Sequence, residues 1–388
     1  MSNMKLGIIN GQIITPDRVI EKGCVGIEDG KIIDIRDTLP NTSGNVIDAK
    51  GGYVMPGIID IHGDDLETAI SPRPSSRFPV DFALLQLDRS NAVCGITTKL
   101  HAIAYFEDEL KGRHVGLSKE IAKTIAHCRY GLHTNHFLHV RCEISTDLED
   151  VLEVIENPLV KLVSLMDHTP GQGQFLDPEQ YREYHKRIYG LNDAEIDGII
   201  RKKSGYANIK VQNMREVAKK ALAKRISIAS HDDDSSQKVE LVHSIGARIS
   251  EFPVTLDAAN RSRELGMTIC MGAPNVVLGR STSGNLSSIQ AVTAGLVDVL
   301  CSDYNPASML YSLFILWKQG ILSLPDAVKM VTLNPAKAVC MDYATGSIEV
   351  GKRADILVVT EQMGIPVVAR TIVNGEVVYA GGGAVCTG

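Results

Sequence analysis

Apolar positions follow two textures along the chain. Residues 5–49 hold short alternating runs, KLGIINGQIIT, VGIEDGKIIDI and NVIDA, with Asn10-Gly11 and Asp29-Gly30 as hairpin signals. The same texture returns near the far end in ADILVVTEQ and PVVARTIVNGEVVYAGG, with a turn signal at Asn374-Gly375. Too little chain separates these runs for crossover helices, so the two ends predict strands that pair into one small sheet domain. Between them, eight apolar runs alternate with helical stretches: Ile58–His62, Gly95–His101, His136–Glu143, Val160–His168, Ile226–His231, Ala247–Phe252, Met267–Met271 and Asp298–Asp303. Strand followed by helix eight times over is the requirement of a closed parallel barrel. The predicted fold is an α/β protein, a (β/α)8 TIM barrel with a small β-sandwich domain formed from both termini. Residues 1–53 plus 344–388 make the sandwich and 54–343 the barrel. The connection from 172 to 225 is too long for an ordinary barrel loop, and its DPEQYREYHKRIYGLNDAEIDGIIRKK predicts helix, a candidate lid over the strand ends.

Composition narrows the class. A hydrophobic content of 44% with only 5% aromatic residues fits the aliphatic filling of parallel sheets. The net charge of −6 speaks against a phosphate backbone as partner, yet permits a small anion gripped by local arginines. Eight cysteines (24, 94, 128, 142, 270, 301, 340 and 386) form no CxxC pair, which predicts reduced thiols in a cytoplasm. No apolar run approaches the ~20 residues of a membrane span, and the N-terminus lacks a signal-peptide core. The expected partners are an anionic small molecule and further copies of the chain, with no nucleic acid and no membrane.

The chemistry gathers at strand ends. His62, Asp64, Glu143, His168, His231 and Asp303 all stand at or just past the C-terminal ends of predicted strands, where barrels place their sites. Residues i and i+2 of a strand share a face, so His62 and Asp64 can address one ion, with Gly63 leaving space between them. Each residue alone is also explained as a cap or a hydrogen-bonded core group, Asp303 as the cap of the next helix. Their recurrence at several strand ends favours a metal centre, and imidazole with carboxylate suits Zn, Mn, Fe or Co. His101 ends the second strand and is assigned to the substrate or to support of the ligands. The histidines at 114, 127, 133, 136, 139, 185 and 243 are read as surface or structural. Candidate anion contacts are Arg73, Arg141, Gln172, the lid's Arg182, and the turns GAPN and SGN with Asn275, Arg280 and Asn285. For the lid cluster around Lys186-Arg187, surface solvation is an equal explanation. No P-loop, GxGxxG or GxSxG pattern is present, which leaves catalysis through metal and water.

VMPGIIDIHGD at 54–64 resembles the opening of the amidohydrolase superfamily, with Asp64 where the second histidine of its His-x-His would stand. HGDDLE, SPRP at 71–74, GITT at 95–98, HVRCE at 139–143, LVSLMDHTPGQGQF at 162–175, ASHDD at 229–233, EFPVT at 251–255, MGAPNVVLG at 271–279, SGN at 283–285 and SDYNPAS at 302–308 extend the likeness over nearly the whole chain. With them the chain is similar to the phosphonate-catabolism branch, which hydrolyses α-D-ribose 1-methylphosphonate 5-triphosphate to the 5-phosphate and pyrophosphate. The resemblance implies that His62, Asp64, Glu143, His168, His231 and Asp303 ligate two divalent ions, zinc foremost, with manganese or iron as alternatives. It gives Glu143 the bridging position and has Asp303 orient the attacking water and take its proton. Many superfamily members carry the bridging group and two histidines on strands four, five and six; Glu143, His168 and His231 fall on three, four and five. A C–N hydrolase of a cyclic amide or imine, and a non-catalytic scaffold, are the competing readings.

Overall fold

The computed structural model describes residues 6–37, 44–73, 76–107, 113–145, 147–169, 173, 178–204, 209–281 and 284–381. Five short strands open the chain: β1 (Leu6–Ile14), β2 (Val19–Glu28), β3 (Lys31–Arg36), β4 (Asn45–Asp48) and β5 (Tyr53–Pro56). Eight more follow, each separated from the next by one or more helices: β6 (Ile58–Gly63), β7 (Ile96–Ala104), β8 (Asn135–Glu143), β9 (Val160–Met166), β10 (Ser227–His231), β11 (Ile249–Glu251), β12 (Thr268–Gly272) and β13 (Val299–Cys301). The chain closes with β14 (Ile356–Gln362), β15 (Ile365–Val373) and β16 (Glu376–Ala380).

The terminal strands form one sheet in the order β16-β15-β14-β5-β1-β2-β3, with β4 paired to β1. Both chain ends interleave, since N-terminal β5 lies between β1 and C-terminal β14. Apolar residues from both ends, among them Ile8, Val25, Val54, Ile356 and Ile372, share one buried cluster. Asp29-Gly30 and Asn374-Gly375 make the expected hairpin turns, with positive φ at all four residues. Asn10-Gly11 does not turn the chain. It lies inside β1, where the pairing with β2 shifts register on both sides of Gly11. A Cβ on Gly11 would stand 2.4 Å from Val54, so the glycine serves a bulge and a close approach. The signal was shared because bulge and I′ turn both use a left-handed residue.

Strands β6 to β13 form a single parallel sheet in chain order. All eight predicted runs are present. The seam closes between its first and last strands: Asp303 N–H donates to His62 O and Asp64 N–H to Asp303 O, each at 3.0 Å. Alternate residues face opposite ways. Leu138, Val140 and Cys142 of β8 pack outward with helical residues such as Ile121 and Val217. Leu100, Leu162, Ala229, Ile249 and Val299 face a second cluster inside the barrel, which Val339 and Met341 join. That closing segment sits at the strand starts, where Ser227 Oγ donates to Ala338 O.

Of the stretch expected as a lid, the helices Pro178–Tyr189 and Asp193–Ser204 pack on each other. The third helix, Lys210–Ala223, instead packs on β10 through Met214, Val217 and Ala221, as the ordinary helix of its barrel repeat. Among the described residues no helix is long and apolar enough to cross a membrane. The seven described cysteines are free thiols; Cys386 lies outside the described residues.

Candidate metal centre

The site begins with an irregularity in β6. Ile59 and Ile61 belong to the interior cluster, and strict alternation would turn His62 outward. The pairing of β6 with β7 shifts register between Asp60 and Gly63, and this bulge re-aims the strand end. His62 thereby lies inside, its ring 4.8 Å from His139, 5.4 Å from His231 in near-parallel stacking, and 5.0 Å from Phe252. Asp60 stays behind the wall, where its Oδ1 accepts the N–H groups of His62 (3.3 Å) and Ser302 (3.1 Å). Lys99 Nζ lies 2.5 Å from Asp60, 3.1 Å from Asp65 and 3.1 Å from Ser302 Oγ. Burial alone would raise the Asp60 pKa, but Lys99 beside it holds it below the ordinary value. Burial works against the Lys99 charge, and the two carboxylates outweigh it and raise its pKa. A Cβ on Gly63 would fall 2.2 Å from Lys99 Nζ and 2.5 Å from Ser302 Oγ. Gly63 makes room for this lysine, which corrects its expected role as a spacer between His62 and Asp64.

Glu251 organises the centre. It follows inward-facing Ile249 by two residues on β11 and is fully buried. Its Oε1 lies 3.1 Å from His62 Nδ1, and its Oε2 lies 3.3 Å from His231 Nδ1 and 2.5 Å from Ser164 Oγ. Burial would raise the Glu251 pKa, but His62 and His139 hold it well below the usual range. An ionised carboxylate only accepts, so the geometry assigns a proton to each Nδ1 and leaves both Nε2 atoms able to ligate an ion. His139 Nδ1 donates to Ile61 O at 2.9 Å, and burial lowers its pKa to about 3. Burial also lowers the His231 pKa, keeping that ring neutral.

Around this pair stand the remaining candidates. His168 Nδ1 lies 2.7 Å from Glu143 Oε2, whose other oxygen accepts from Ser145 Oγ at 2.8 Å. The His168 and His231 rings are 6.1 Å apart. Ligand atoms of His168, His231 and Asp232 lie within 4.8 Å of one another, as do those of His62, His139 and Glu251. Asp303 has a φ of 54°, held by its two backbone bonds across the seam. Its pKa is raised by burial, an effect that nearby His62 opposes and Asp64 reinforces. Asp64 is partly exposed, its Oδ2 3.4 Å from Arg113 and 3.9 Å from Arg141. Imidazole nitrogens freed by a shared carboxylate, with buried carboxylate oxygens beside them, fit a borderline divalent cation.

Other expected residues stand elsewhere. His101 is not at the rim, because β7 continues three residues beyond it to Ala104. Its Nε2 lies 2.8 Å from His136 Nδ1, and His136 Nε2 lies 2.9 Å from Asp88 on the helix Val80–Cys94, so the group is buried between wall and helix. Arg73 is exposed beside Ser76. Arg182 pairs with Asp197 at 2.5 Å, between the helices Pro178–Tyr189 and Asp193–Ser204. Asn275 is half-buried in the short helix after β12, Arg280 is exposed beyond it, and Asn285 is half-buried before the next helix. Gln172 lies outside the described residues. Arg141 points into the barrel mouth, its Nε 3.4 Å from Met166 Sδ. Glu251, Arg113 and Lys99 are not among the expected site residues, and His139, expected at the surface or in a structural role, is buried beside His62 and Glu251. For Glu251 a signal existed: an acid one residue before the end of a predicted strand. The strand count stands, with Glu143 ending the third barrel strand, His168 following the fourth and His231 ending the fifth.

Comparison with known proteins agrees with this architecture. The Amidohydrolase family profile matches residues 204–379. Alpha-D-ribose 1-methylphosphonate 5-triphosphate diphosphatase of Escherichia coli (strain K12) is 37% identical over 360 residues, covering 90% of this chain and 94% of its own. Dihydroorotase of Aquifex aeolicus (strain VF5) is 24% identical over 404 residues, covering 92% and 89%. Among solved structures, N-acetylglucosamine-6-phosphate deacetylase from Pasteurella multocida superposes with a TM-score of 0.65 at 14% identity, covering 96% of this chain and 99% of that one. Fold, buried histidine–carboxylate centre and full-length likeness lead to one conclusion: this chain belongs to the amidohydrolase family, in the branch of the E. coli diphosphatase.

Proposed function

We propose that the chain hydrolyses α-D-ribose 1-methylphosphonate 5-triphosphate to the 5-phosphate and pyrophosphate, as a metal-dependent enzyme of phosphonate catabolism. The observation that carries this reading is the 37% identity over 90% of the chain to a diphosphatase named for that substrate. His62, His168, His231 and Asp303 would hold the metal, with Asp64 and Glu143 beside them, and two zinc ions are the first choice, manganese or iron the next. Such an ion acidifies water and neutralises charge on phosphoryl oxygens. Glu251 keeps His62 and His231 oriented with Nε2 unprotonated. Asp303 accepts the proton of the attacking water; burial raises its pKa towards the range of an effective base. Its backbone ties to the first strand fix where that carboxylate stands. The expected setting is a cytoplasmic homo-oligomer.

Incubating the metal-loaded protein with this triphosphate should release one pyrophosphate per substrate, and chelation should stop the release. Turnover of dihydroorotate or a hydantoin without any pyrophosphate would replace the proposal with C–N hydrolysis. Less than one equivalent of transition metal, with no activity on adding it, would point to a scaffold.

A further inference from the structure

Two arginines at the barrel mouth lie beside the proposed proton acceptor. Arg141 is on β8 two residues before Glu143, and it faces inward because Val140 and Cys142 pack outward. Its side chain is only 8% exposed. Among the described residues, the only atom within hydrogen-bond reach of its guanidinium is Met166 Sδ at 3.4 Å, a weak acceptor. A desolvated guanidinium with so little compensation is costly to the fold. Arg113 arrives from the loop before the helix Val115–Cys128 and is likewise nine-tenths buried. Its Nε lies 2.7 Å from Glu67 Oε2, and Glu67 Oε1 accepts the Ala104 N–H at 2.9 Å, so its position is fixed from behind.

Both guanidinium groups turn towards one oxygen, Asp64 Oδ2, at 3.4 and 3.9 Å. Charge-assisted N–H···O bonds close to about 2.7–2.9 Å, so at 3.9 Å this carboxylate leaves Arg141 room for another oxygen. A tetrahedral phosphate presents more oxygens over a wider span and suits two planar forks. We propose that Arg113 and Arg141 clamp the phosphate chain of the substrate, with Asp64 as the resident counter-ion that phosphate displaces. The Asp64 N–H is bonded to Asp303 O, which sets the clamp beside the proton acceptor. This assignment rests on the triphosphate reading for its ligand, and it needs no metal to be measured.

The test is calorimetric binding of inorganic tripolyphosphate to chelator-stripped protein at low salt. Arg141→Met and Arg113→Met should each weaken binding about tenfold or more, while Arg129→Ala, at an exposed position, stays within twofold. Absence of binding to the unaltered protein, or affinity within twofold in both Met variants, overturns the clamp. Because a core variant can fail to fold, the unaltered protein gives a second reading: a crystal soaked with tripolyphosphate should place the anion against both guanidinium groups. Anion density found only elsewhere also overturns it. Tripolyphosphate bound through both arginines, in a protein that releases no pyrophosphate from the ribose triphosphate, supports the clamp and removes the proposed reaction. Pyrophosphate release with an unchanged KM in both Met variants does the reverse.

Discussion

The lower and upper halves of the barrel interior are built from the same strands, two residues apart. Leu162 gives way to Ser164, Ala229 to His231 and Ile249 to Glu251. The lower members pack together and are sealed by Val339 and Met341. The upper members bury a polar network in which Glu251 accepts from His62, Ser164 and His231. Residues i and i+2 share a face, so direction is identical and only depth changes. Stability is thus concentrated where the strands begin, and the groups that cost stability stand where they end. The halves should therefore respond to substitution in different measurements.

The largest effect is expected at Asp303. Asp303→Asn keeps the size and the backbone ties across the seam but removes the proton acceptor. Pyrophosphate release should fall about 10²–10⁴-fold, the usual contribution of a positioned base, with little change in thermal midpoint. Retained turnover would assign the proton to another group. Next in size is Lys99→Met, which leaves Asp60 charged and unpaired behind the wall. Removing one partner of a buried pair costs about 3–5 kcal/mol, read by denaturant unfolding. The pH dependence follows from the two shifts. Lowered Asp60 adds stability above its ordinary value near 3.9, lost as acid protonates it; raised Lys99 adds stability below its ordinary value near 10.4, lost as base removes its proton. Without Lys99, burial raises the Asp60 pKa, so the deficit of Lys99→Met should be greatest above that raised value and shrink steadily as the pH falls through it. A deficit unchanged at pH 3 would show that the pair does not set it.

A lower-half substitution sharpens the contrast. Leu162→Ala empties part of the apolar cluster and should destabilise by about 2–4 kcal/mol, while metal affinity of the folded protein stays within twofold. Loss of metal in parallel with stability would mean that the two halves are one mechanical unit.

Much of this was legible from the chain, for a physical reason. A half-buried strand writes its orientation as alternation, and a barrel places polar groups at strand ends, so eight runs and six candidate residues could be placed. What stayed hidden depends on register or on distant partners. His101 reads as a rim residue only if its strand ends there; the strand continues to Ala104, which moves the rim along and leaves His101 on the face opposite Leu100. Gly63 reads as a spacer until Lys99, 36 residues later, is seen to occupy the space. Arg113 lies in a loop without periodicity, and its acidic partners Asp64 and Glu67 are remote in sequence.

Glu251→Gln is the subtlest of these tests and separates orientation from packing. The amide has nearly the same shape, so the fold should persist. Only one of its two heads accepts hydrogen bonds, however, and Glu251 now accepts from His62 through one oxygen and from His231 and Ser164 through the other. An NH2 facing either imidazole forces the proton of that ring onto Nε2, the atom needed by the ion. Metal affinity should therefore fall about 10–100-fold, the usual effect of removing such a supporting carboxylate. Competition with a fluorescent zinc chelator would measure it, while near-ultraviolet circular dichroism tracks the packing. Unchanged affinity would mean that Glu251 does not choose the tautomer of its histidines, and that the upper half is held by shape, as the lower half is.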